Sequence, residues 1–266
     1  MDVGTSAKHP LWRDRWIYAR DLLREMVVRD VRVKYKRSTL GLAWAMLNPL
    51  LHLVVFYFVF QVILALDTPR FTAFALAGLL IWGWTAGALS QATGAITSNA
   101  ALLRQPGFPS GMLVPIAVTT HMVYFVLALP PLLAFLIAGG SRPGWSLAAL
   151  PLILAVQFLF TLSLAYLFAA TNACFRDTEH FINVLLRLTM FISPIFYEAS
   201  RVPEAYQSLY QLNPLVPLLE AYRAVLMYGI EPPWDALAGV ALVSAVVLYL
   251  SQRLYRHVAL HVVDDL

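Results

Sequence analysis

Six long apolar stretches, almost free of charged residues, constrain this chain more than any other feature. A helix needs about 20 apolar residues to cross a hydrocarbon core about 30 Å thick. Their single acidic residue, Asp235, lies at the edge of the last stretch, and Arg187 interrupts the fifth. The stretches cover residues 40–66, 71–96, 113–137, 147–170, 181–197 and 234–254. We therefore predict an all-α integral membrane protein with six transmembrane helices, whose transmembrane domain covers residues 40–254.

The composition excludes a soluble protein. Hydrophobic residues make up 60% of the 266 positions and charged residues 13%, and the mean hydropathy is +0.69. Soluble domains carry about 25% charged residues, so this chain has too few charges to cover a water-facing surface. A transmembrane β-barrel is disfavoured because barrel strands alternate apolar and polar residues, whereas these apolar stretches are continuous.

Residues 1–39 form a basic segment in front of the first stretch, with ten Lys and Arg against five acidic residues. Apolar side chains recur there at steps of three or four, at Trp12, Trp16, Ala19, Leu23, Met26 and Val27. This spacing is typical of an amphipathic helix that lies in the membrane interface. We predict a helix that binds membrane lipids, and the basic charge requires no nucleic acid to explain it.

The distribution of basic residues predicts the orientation of the chain in the membrane. With six spans, the side that holds the N-terminus carries fourteen Lys and Arg, and the opposite side carries four. Both termini are therefore predicted to be cytoplasmic, including a tail at residues 255–266.

Residues 202–230, between the fifth and sixth stretches, are too apolar for an ordinary exposed loop and are broken by three prolines. No part of this segment is long enough to cross a bilayer. We predict two re-entrant helices that meet at Asn213 and Pro214, since such backbone persists at membrane depth only where protein or a water-filled cavity surrounds it. A loosely packed extracytoplasmic loop is the alternative.

The sequence lacks the motifs of an enzyme. HExxH, GxSxG and the nucleotide-binding GxxxxGK[ST] are all absent from the 266 residues. His52 and His121 lie in different predicted spans without metal-ligand spacing, and the lone Cys174 indicates a packing residue. We predict no metal, no cofactor and no catalytic residue in this chain, which could not hydrolyse ATP by itself.

Three sequence blocks carry a family resemblance by their order and spacing. The first contains Arg29-Asp30-Val31-Arg32-Val33-Lys34-Tyr35-Lys36-Arg37, Gly41, Trp44 and Asn48-Pro49-Leu50. The second contains Leu102-Leu103-Arg104, Phe108-Pro109 and Pro115. The third contains Asn172, Phe175-Arg176-Asp177, His180, Ser193-Pro194-Ile195-Phe196-Tyr197, Asn213-Pro214-Leu215, Pro217 and Glu220-Ala221-Tyr222-Arg223. Together they resemble the membrane (permease) subunit of ABC-type polysaccharide exporters, most closely O-antigen export permeases of the Wzm type and teichoic-acid export permeases.

The resemblance implies a homodimer of this chain that works with two copies of a separate ATP-binding subunit, which binds the ATP and Mg²⁺. It implies a bacterial inner-membrane protein whose cargo is a polysaccharide linked to undecaprenyl diphosphate, with O-antigen of lipopolysaccharide as the first expectation. A channel between protomers is also expected on physical grounds, because a bundle of six helices leaves little room for a sugar chain, whereas a two-fold dimer could enclose one.

The resemblance also suggests roles for three groups of residues. A coupling helix at about residues 98–111 would contact the ATP-binding subunit through Leu102, Leu103, Arg104, Phe108 and Pro109. The cytoplasmic entrance for a lipid diphosphate would include Arg29, Arg32, Lys34, Tyr35, Lys36, Arg37 and Arg176. An outer gate in residues 202–230 and the adjoining channel would include Pro194, Tyr197, Asn213, Pro214, Glu220 and Arg223.

Other functions remain open on the sequence alone. Within the class of transporter subunits, a permease for capsular polysaccharide or teichoic acid is the alternative, and a permease that exports drugs ranks third. From other classes, a membrane glycosyl- or acyltransferase would need an acidic or His/Asp centre, which the predicted spans lack. A purely structural subunit would leave the apolar 202–230 segment unexplained.

Overall fold

The computed structural model describes residues 12–35, 43–65, 70–105, 108–141 and 143–265, with the side chains at 12–16, 35, 45–46, 100 and 260–265 left undescribed. Within these ranges the protein is helical, with no β-strand. The helices are α1 (Trp12–Tyr35), α2 (Trp44–Tyr57), α3 (Phe71–Thr93), α4 (Ala95–Ser98), α5 (Ala100–Leu103), α6 (Leu113–Ala138), α7 (Leu150–Cys174), α8 (Thr178–Ile192), α9 (Glu204–Gln211), α10 (Leu215–Arg223) and α11 (Trp234–Asp265).

Four helical segments in the described ranges are long and apolar enough to cross a membrane. They are Phe71–Thr93, Ser110–Ala138, Trp145–Cys174 and Trp234–Ala259. The first is α3, the second and third are α6 and α7 with the short 3₁₀ turns that precede them, and the fourth is the larger part of α11. The all-helical prediction is therefore confirmed, together with four of the predicted apolar spans.

The first and fifth predicted spans are shorter helices than the sequence suggested. Of the predicted first span, 40–66, residues 40–42 and 66 lie outside the described residues. Within the described part, the apolar helical segment covers Leu47–Ile63, contains Pro49 and ends in a π-helical turn at Phe58–Ile63. The predicted fifth span, 181–197, corresponds to α8, which ends at Ile192 because Pro194 stops it. A proline disfavours the helical conformation in the residue before it, and Ser193 is extended here (ψ 153°).

Helix α3 lies at the centre of the bundle. Most of its side chains are buried, and it packs against α2, α6, α7, α8 and α10. Small buried residues such as Ala75, Ala77 and Ala88 allow its neighbours to approach closely. The amide of Gln157 in α7 donates to the Ile81 carbonyl and to the Thr85 hydroxyl, both at 3.0 Å, so α3 and α7 are also joined by hydrogen bonds inside the apolar core.

Helix α1 coincides with the amphipathic helix that the sequence predicts. Among its described side chains Val27 is buried (7% exposed), and the helix packs against α6. Its charged residues include two neighbouring ion pairs, Arg20 with Asp21 and Arg29 with Asp30. The location of α1 in the membrane interface stays a prediction.

Candidate functional site

The break after α8 is built by the Ser193-Pro194-Ile195-Phe196-Tyr197 sequence. Pro194 ends the helix, which leaves the last carbonyls of α8 without intrahelical donors. The Tyr197 hydroxyl donates to the carbonyl of Ile192 at 2.7 Å and to that of Phe191 at 3.2 Å. The tyrosine thus closes the end of the helix that the proline interrupts.

Asn213 joins this break to the corner between α9 and α10. Its side-chain NH₂ donates to the Ser193 hydroxyl at 3.1 Å, and its side-chain oxygen accepts from the Leu215 backbone N–H at 3.0 Å. The second bond is an Asx turn that starts α10 directly after Pro214. One side chain therefore fixes both the start of α10 and its position against the end of α8.

Arg223 holds the other end of α10 in the same place. Its side chain is buried (4% exposed), lies 3.3 Å from the centroid of the Phe74 ring, and donates to the Ile195 carbonyl at 3.2 Å. A buried charge needs such hydrogen bonds to offset its desolvation. Gly78 of α3 makes room for it, because a Cβ at that position would lie 3.0 Å from the guanidinium.

The structure brings five of the six predicted gate residues together. Pro194 and Tyr197 form the break, Asn213 and Pro214 start α10, and Arg223 binds back to the break. Glu220 does not join them, since its side chain is exposed on α10 and makes no ion pair with Arg223 among the described residues.

The predicted coupling segment, residues 98–111, is not one helix in the described ranges. It consists of the one-turn helices α4 and α5, an extended residue at Pro109 and a 3₁₀ turn at Ser110–Met112. Of the five residues expected to contact the ATP-binding subunit, Arg104 is exposed and Leu103 is buried in the core. The remaining three, Leu102, Phe108 and Pro109, are half-buried.

Two tyrosines that the sequence reasoning missed anchor this segment. The Tyr166 hydroxyl of α7 donates to the Gly111 carbonyl at 2.8 Å, and the Tyr255 hydroxyl of α11 donates to the Ser110 carbonyl at 2.9 Å. Aromatic residues in apolar stretches gave no sequence signal that distinguished these two from the others. The turn Ser110–Met112 is thus hydrogen-bonded to two long helices.

The predicted entrance residues are only partly brought together. Arg29 forms an ion pair with Asp30 at 2.8 Å, and the Lys34 ammonium lies 4.0 Å from the centroid of the Tyr124 ring in α6. Partial burial lowers the pKa of Lys34. Two other predicted entrance residues lie apart from these: Arg32 is exposed on α1, and Arg176 is exposed in the turn between α7 and α8. The Tyr35 side chain, Lys36 and Arg37 lie outside the described part of the chain.

A groove of about 550 Å³ with a mixed polar and apolar lining runs between α3 and α8. Its polar lining residues are Ser90, His180, Asn183 and Arg187. The Ser90 hydroxyl donates to the Asn183 side-chain oxygen at 2.9 Å, and Arg187 is exposed, with its Nε bound to the Asn183 carbonyl at 3.2 Å. In the sequence, Arg187 interrupts the predicted fifth span, and no role was predicted for it.

Among the residues whose placement is described, no three His, Cys, Asp or Glu side chains are grouped as a metal site. The arrangement is that of a helical membrane bundle with an internal break, an anchored loop and polar grooves. The family model for ABC-2 type transporters matches residues 21–227, more than three quarters of the chain.

This chain belongs to the ABC-2 type transporter family. It is 34% identical over 238 residues to the O-antigen export system permease protein RfbA of Myxococcus xanthus, covering 89% of this chain and 92% of the relative. It is 30% identical over 214 residues to the protein of the same name from Klebsiella pneumoniae, covering 80% and 83%. The polysialic acid transport protein KpsM of Escherichia coli is 25% identical over 234 residues, covering 87% and 91%.

Membership settles the general character of this ABC-2 chain. It is an integral inner-membrane permease subunit, and such subunits are not catalytic themselves. Members of the family act together with an ATP-binding subunit. The family resemblance in the three sequence blocks is thereby confirmed.

Proposed function

We propose that this chain is the permease subunit of an ABC transporter that exports a polysaccharide linked to undecaprenyl diphosphate, with O-antigen as the cargo. The observation that carries the proposal is the 34% and 30% identity to two permeases named for O-antigen export, over at least four fifths of both chains. ATP and Mg²⁺ are bound by the separate subunit, of which the complex holds two copies.

Capsular polysaccharide is the second candidate cargo, because the chain is also 25% identical to a polysialic acid transport protein. A strain that lacks this gene distinguishes the two. We expect the lipopolysaccharide of that strain to lose its O-antigen while its capsule is unchanged, and expression of the chain together with its ATP-binding subunit to restore the O-antigen. Loss of capsule with intact O-antigen would reverse the assignment.

We propose six membrane spans with both termini in the cytoplasm. Helix α2 and its π-helical turn run together from Trp44 to Ile63, and 20 helical residues reach about 30 Å, the thickness of a hydrocarbon core. Helix α8 with its break at Ser193–Tyr197 supplies the fifth span. The short helices α9 and α10 are re-entrant and lie on the outer side.

The cargo path lies between two copies of this chain, along α2 and α8. Both helices expose apolar side chains, yet polar residues interrupt the same surfaces: Asn48 and His52 on α2 and Arg187 on α8 are exposed. A charged side chain at mid-span is costly against lipid, so we infer that Arg187 faces water or a second protomer. A homodimer that encloses the α3–α8 groove satisfies this requirement.

Disulfide crosslinking tests the dimer. In a Cys174→Ser background, Leu188→Cys on the exposed surface of α8 should form a crosslinked dimer in membranes, whereas Leu250→Cys on α11 should not. Both leucines are exposed in the single chain. The two variants therefore differ in the helix surface on which the cysteine lies, α8 or α11. Equal crosslinking of the two variants, or of neither, would contradict an interface at α8.

We propose that the segment at about residues 98–111 couples this chain to the ATP-binding subunit, with Arg104 as its exposed contact. Exchange of its charge by Arg104→Glu should weaken the complex between the two subunits. The exposed Arg201→Glu, on the opposite side of the membrane in the proposed topology, is the matched control. Co-purification of wild-type amounts of the ATP-binding subunit with Arg104→Glu would overturn this role.

A further inference from the structure

A cleft of about 570 Å³ separates α8 from α11. Helices α3 and α7 form its floor, and the corner between α9 and α10 closes one end. Its volume lies within the range of about 300–1,000 Å³ that is usual for ligand pockets. Trp82 and Leu186 also line the α3–α8 groove, but Arg187 lines the groove and not the cleft. The cleft is therefore a separate space from the groove proposed for the cargo path.

The walls of the cleft suit a hydrocarbon. None of the described residues that line it carries a charge. The Thr85 hydroxyl accepts from the Gln157 amide, and the hydroxyls of Ser163 and Thr189 donate to backbone carbonyls of their own helices. Three of the four lining hydroxyl groups are thus already bonded within the protein, so the interior of the cleft requires no polar ligand.

The cleft is polar at one end and about as long as one leaflet of a bilayer. Gln211 and Asn213 line the end at the α9–α10 corner. Along α11 the lining runs from Ala236 to Val247, eleven residues, which corresponds to about 16 Å. Half of a hydrocarbon core about 30 Å thick is about 15 Å. The cleft therefore matches a hydrocarbon chain whose polar end lies beside the α9–α10 corner.

The mouth of the cleft opens on the apolar surface of the bundle. Leu185, Leu212 and Val243 line the cleft and are exposed. Helices α3, α7 and α11 belong to the segments that are long and apolar enough to cross a membrane, so in a bilayer hydrocarbon chains surround this mouth. An unfilled space beside these side chains would forfeit their dispersion contacts. A chain from the bilayer restores them.

Two acidic side chains lie next to the polar end of the cleft. Asp235 lies one turn before Gly239 on α11, and Glu220 lies one turn after Pro217 on α10. Both carboxylates are exposed, whereas the neighbouring Arg223 is buried and donates into the break after α8. Electrostatic complementarity therefore favours a lipid whose headgroup carries a positive charge.

We propose that the cleft binds one hydrocarbon chain of a membrane phospholipid whose ethanolamine ammonium lies beside Asp235 and Glu220. This lipid is a resident of the bilayer and not the exported cargo. Its chain packs against Leu185 of α8 and Pro217 of α10, and so bridges the two sides of the break at Ser193–Tyr197. The site does not depend on the cargo proposed above, whereas its assignment to the outer leaflet rests on the proposed topology.

Photolabelling tests the site in vesicles that hold this chain with its ATP-binding subunit. The probe is phosphatidylethanolamine with a diazirine in one acyl chain, and mass spectrometry of peptides locates the label. We expect label at Leu185 and Val243, in addition to the label that bulk lipid leaves on the exposed Leu250. Gly239→Leu should reduce the label in the cleft about fivefold or more, because overpacking of a filled site is unfavourable, and should leave the label at Leu250 unchanged.

Matched variants guard against general effects of the added side chain. Ala238→Leu places the same side chain at the adjacent exposed position, which does not line the cleft, and should be labelled as the wild type is. If Gly239→Leu fails to fold, Ala236→Leu fills the same wall nearer the polar end and should have the same effect.

Unlabelled competitor lipids test the headgroup. Phosphatidylethanolamine should displace the probe about two- to fivefold more effectively than phosphatidylglycerol with the same chains, the effect of an exposed ion pair. The double variant Asp235→Asn, Glu220→Gln should lose this difference, and Glu204→Gln, at an exposed acidic position that begins α9, should retain it. Equal competition by the two lipids in the wild type would overturn the headgroup assignment.

Wild-type labelling of the cleft in both Gly239→Leu and Ala236→Leu would overturn the site. Stronger displacement of the probe by undecaprenyl phosphate than by phosphatidylethanolamine would assign the cleft to the cargo carrier and overturn the resident lipid. Disulfide-linked dimers through Val243→Cys in the Cys174→Ser background would show that a second copy covers the cleft, and would also overturn the site.

Export measured on the same vesicles separates this inference from the proposed function. A complex that exports no polysaccharide, while Gly239→Leu still loses the label in the cleft, contradicts the function and supports the site. A complex that exports polysaccharide, while Gly239→Leu and Ala236→Leu keep the label, contradicts the site alone.

Discussion

The rings of Tyr166 and Tyr255 meet edge to face, with centroids 5.2 Å apart, and their hydroxyls donate to the adjacent carbonyls of Gly111 and Ser110. Tyr166 belongs to α7 and Tyr255 to α11, the two helices with the most extensive mutual packing. The short turn at Ser110–Met112 is therefore attached to both helices at once, and we expect the turn to move when either helix moves.

Removal of the hydroxyls of Tyr166 and Tyr255 should uncouple ATP hydrolysis from transport. Each Tyr→Phe change at these positions removes one hydrogen bond worth about 1 kcal/mol and leaves the ring contact in place, so the double variant should fold. We expect the complex to hydrolyse ATP near the wild-type rate and to export less polysaccharide per ATP. Tyr249→Phe, at an exposed position on α11, is the control, and an unchanged ratio in the double variant would exclude this coupling role.

Asn213→Ala should loosen the corner between α9 and α10. It removes the bond to Ser193 and the Asx turn to Leu215, at an expected cost of about 1–2 kcal/mol. Hydrogen exchange of α9 and α10 should increase while α3 stays protected. Gln211→Ala, two residues earlier at an exposed position, should leave exchange unchanged, and equal exchange in both variants would show that Asn213 does not hold the corner.

Gly78→Ala should destabilise the protein although alanine favours helices by about 1 kcal/mol over glycine. A Cβ there would lie 3.0 Å from the Arg223 guanidinium and 3.2 Å from the Ile195 carbonyl oxygen, and overpacking of this kind costs about 1–3 kcal/mol. Gly239→Ala has open space and should raise the melting temperature slightly. Thermal unfolding in detergent compares the two, and a stabilised Gly78→Ala protein would contradict the tight fit.

Arg187→Leu should reduce export several-fold without preventing assembly with the ATP-binding subunit. If Arg187 lines the cargo path, loss of its charge and hydrogen-bonding groups removes contacts to the polar polymer, and Arg187→Lys should retain part of the activity. Export into proteoliposomes, normalised to ATP hydrolysis, measures the effect. Full activity of Arg187→Leu would indicate that this side chain lies outside the path.

The helices were predictable from the sequence because apolar runs and helical spacing act over many residues. The predicted third span, 113–137, differs by one residue from α6, and the amphipathic spacing from Trp12 to Val27 lies within α1. The predicted lengths of the helices were wrong where a single residue changes the conformation of the backbone. Pro194 ends α8 five residues before the predicted boundary of the span, and Gly94 separates α3 from α4 within the predicted second span.

The site was predictable where a motif shapes the backbone, and less so where distant residues meet. The Ser193–Tyr197 and Asn213–Pro214 blocks lie together as their shared family pattern suggested. Glu220 does not join Arg223, whose guanidinium donates to the backbone carbonyls of Phe74 and Ile195 instead of to a carboxylate. Tyr166 and Tyr255 were missed because their roles depend on partners 55 or more residues away.

The central position of α3 determines which parts of the chain can move during transport. Tilting α3 would disturb five neighbouring helices simultaneously, and dense packing makes such a rearrangement costly. Helix α2 packs mainly against two of the long helices, α3 and α6, in the described part of the chain. The π-helical turn that follows it, with Phe60 against the ring of Phe196, already departs from regular geometry. We expect α3 to serve as the stationary frame of the transport cycle, while displacement is concentrated in the peripheral α2.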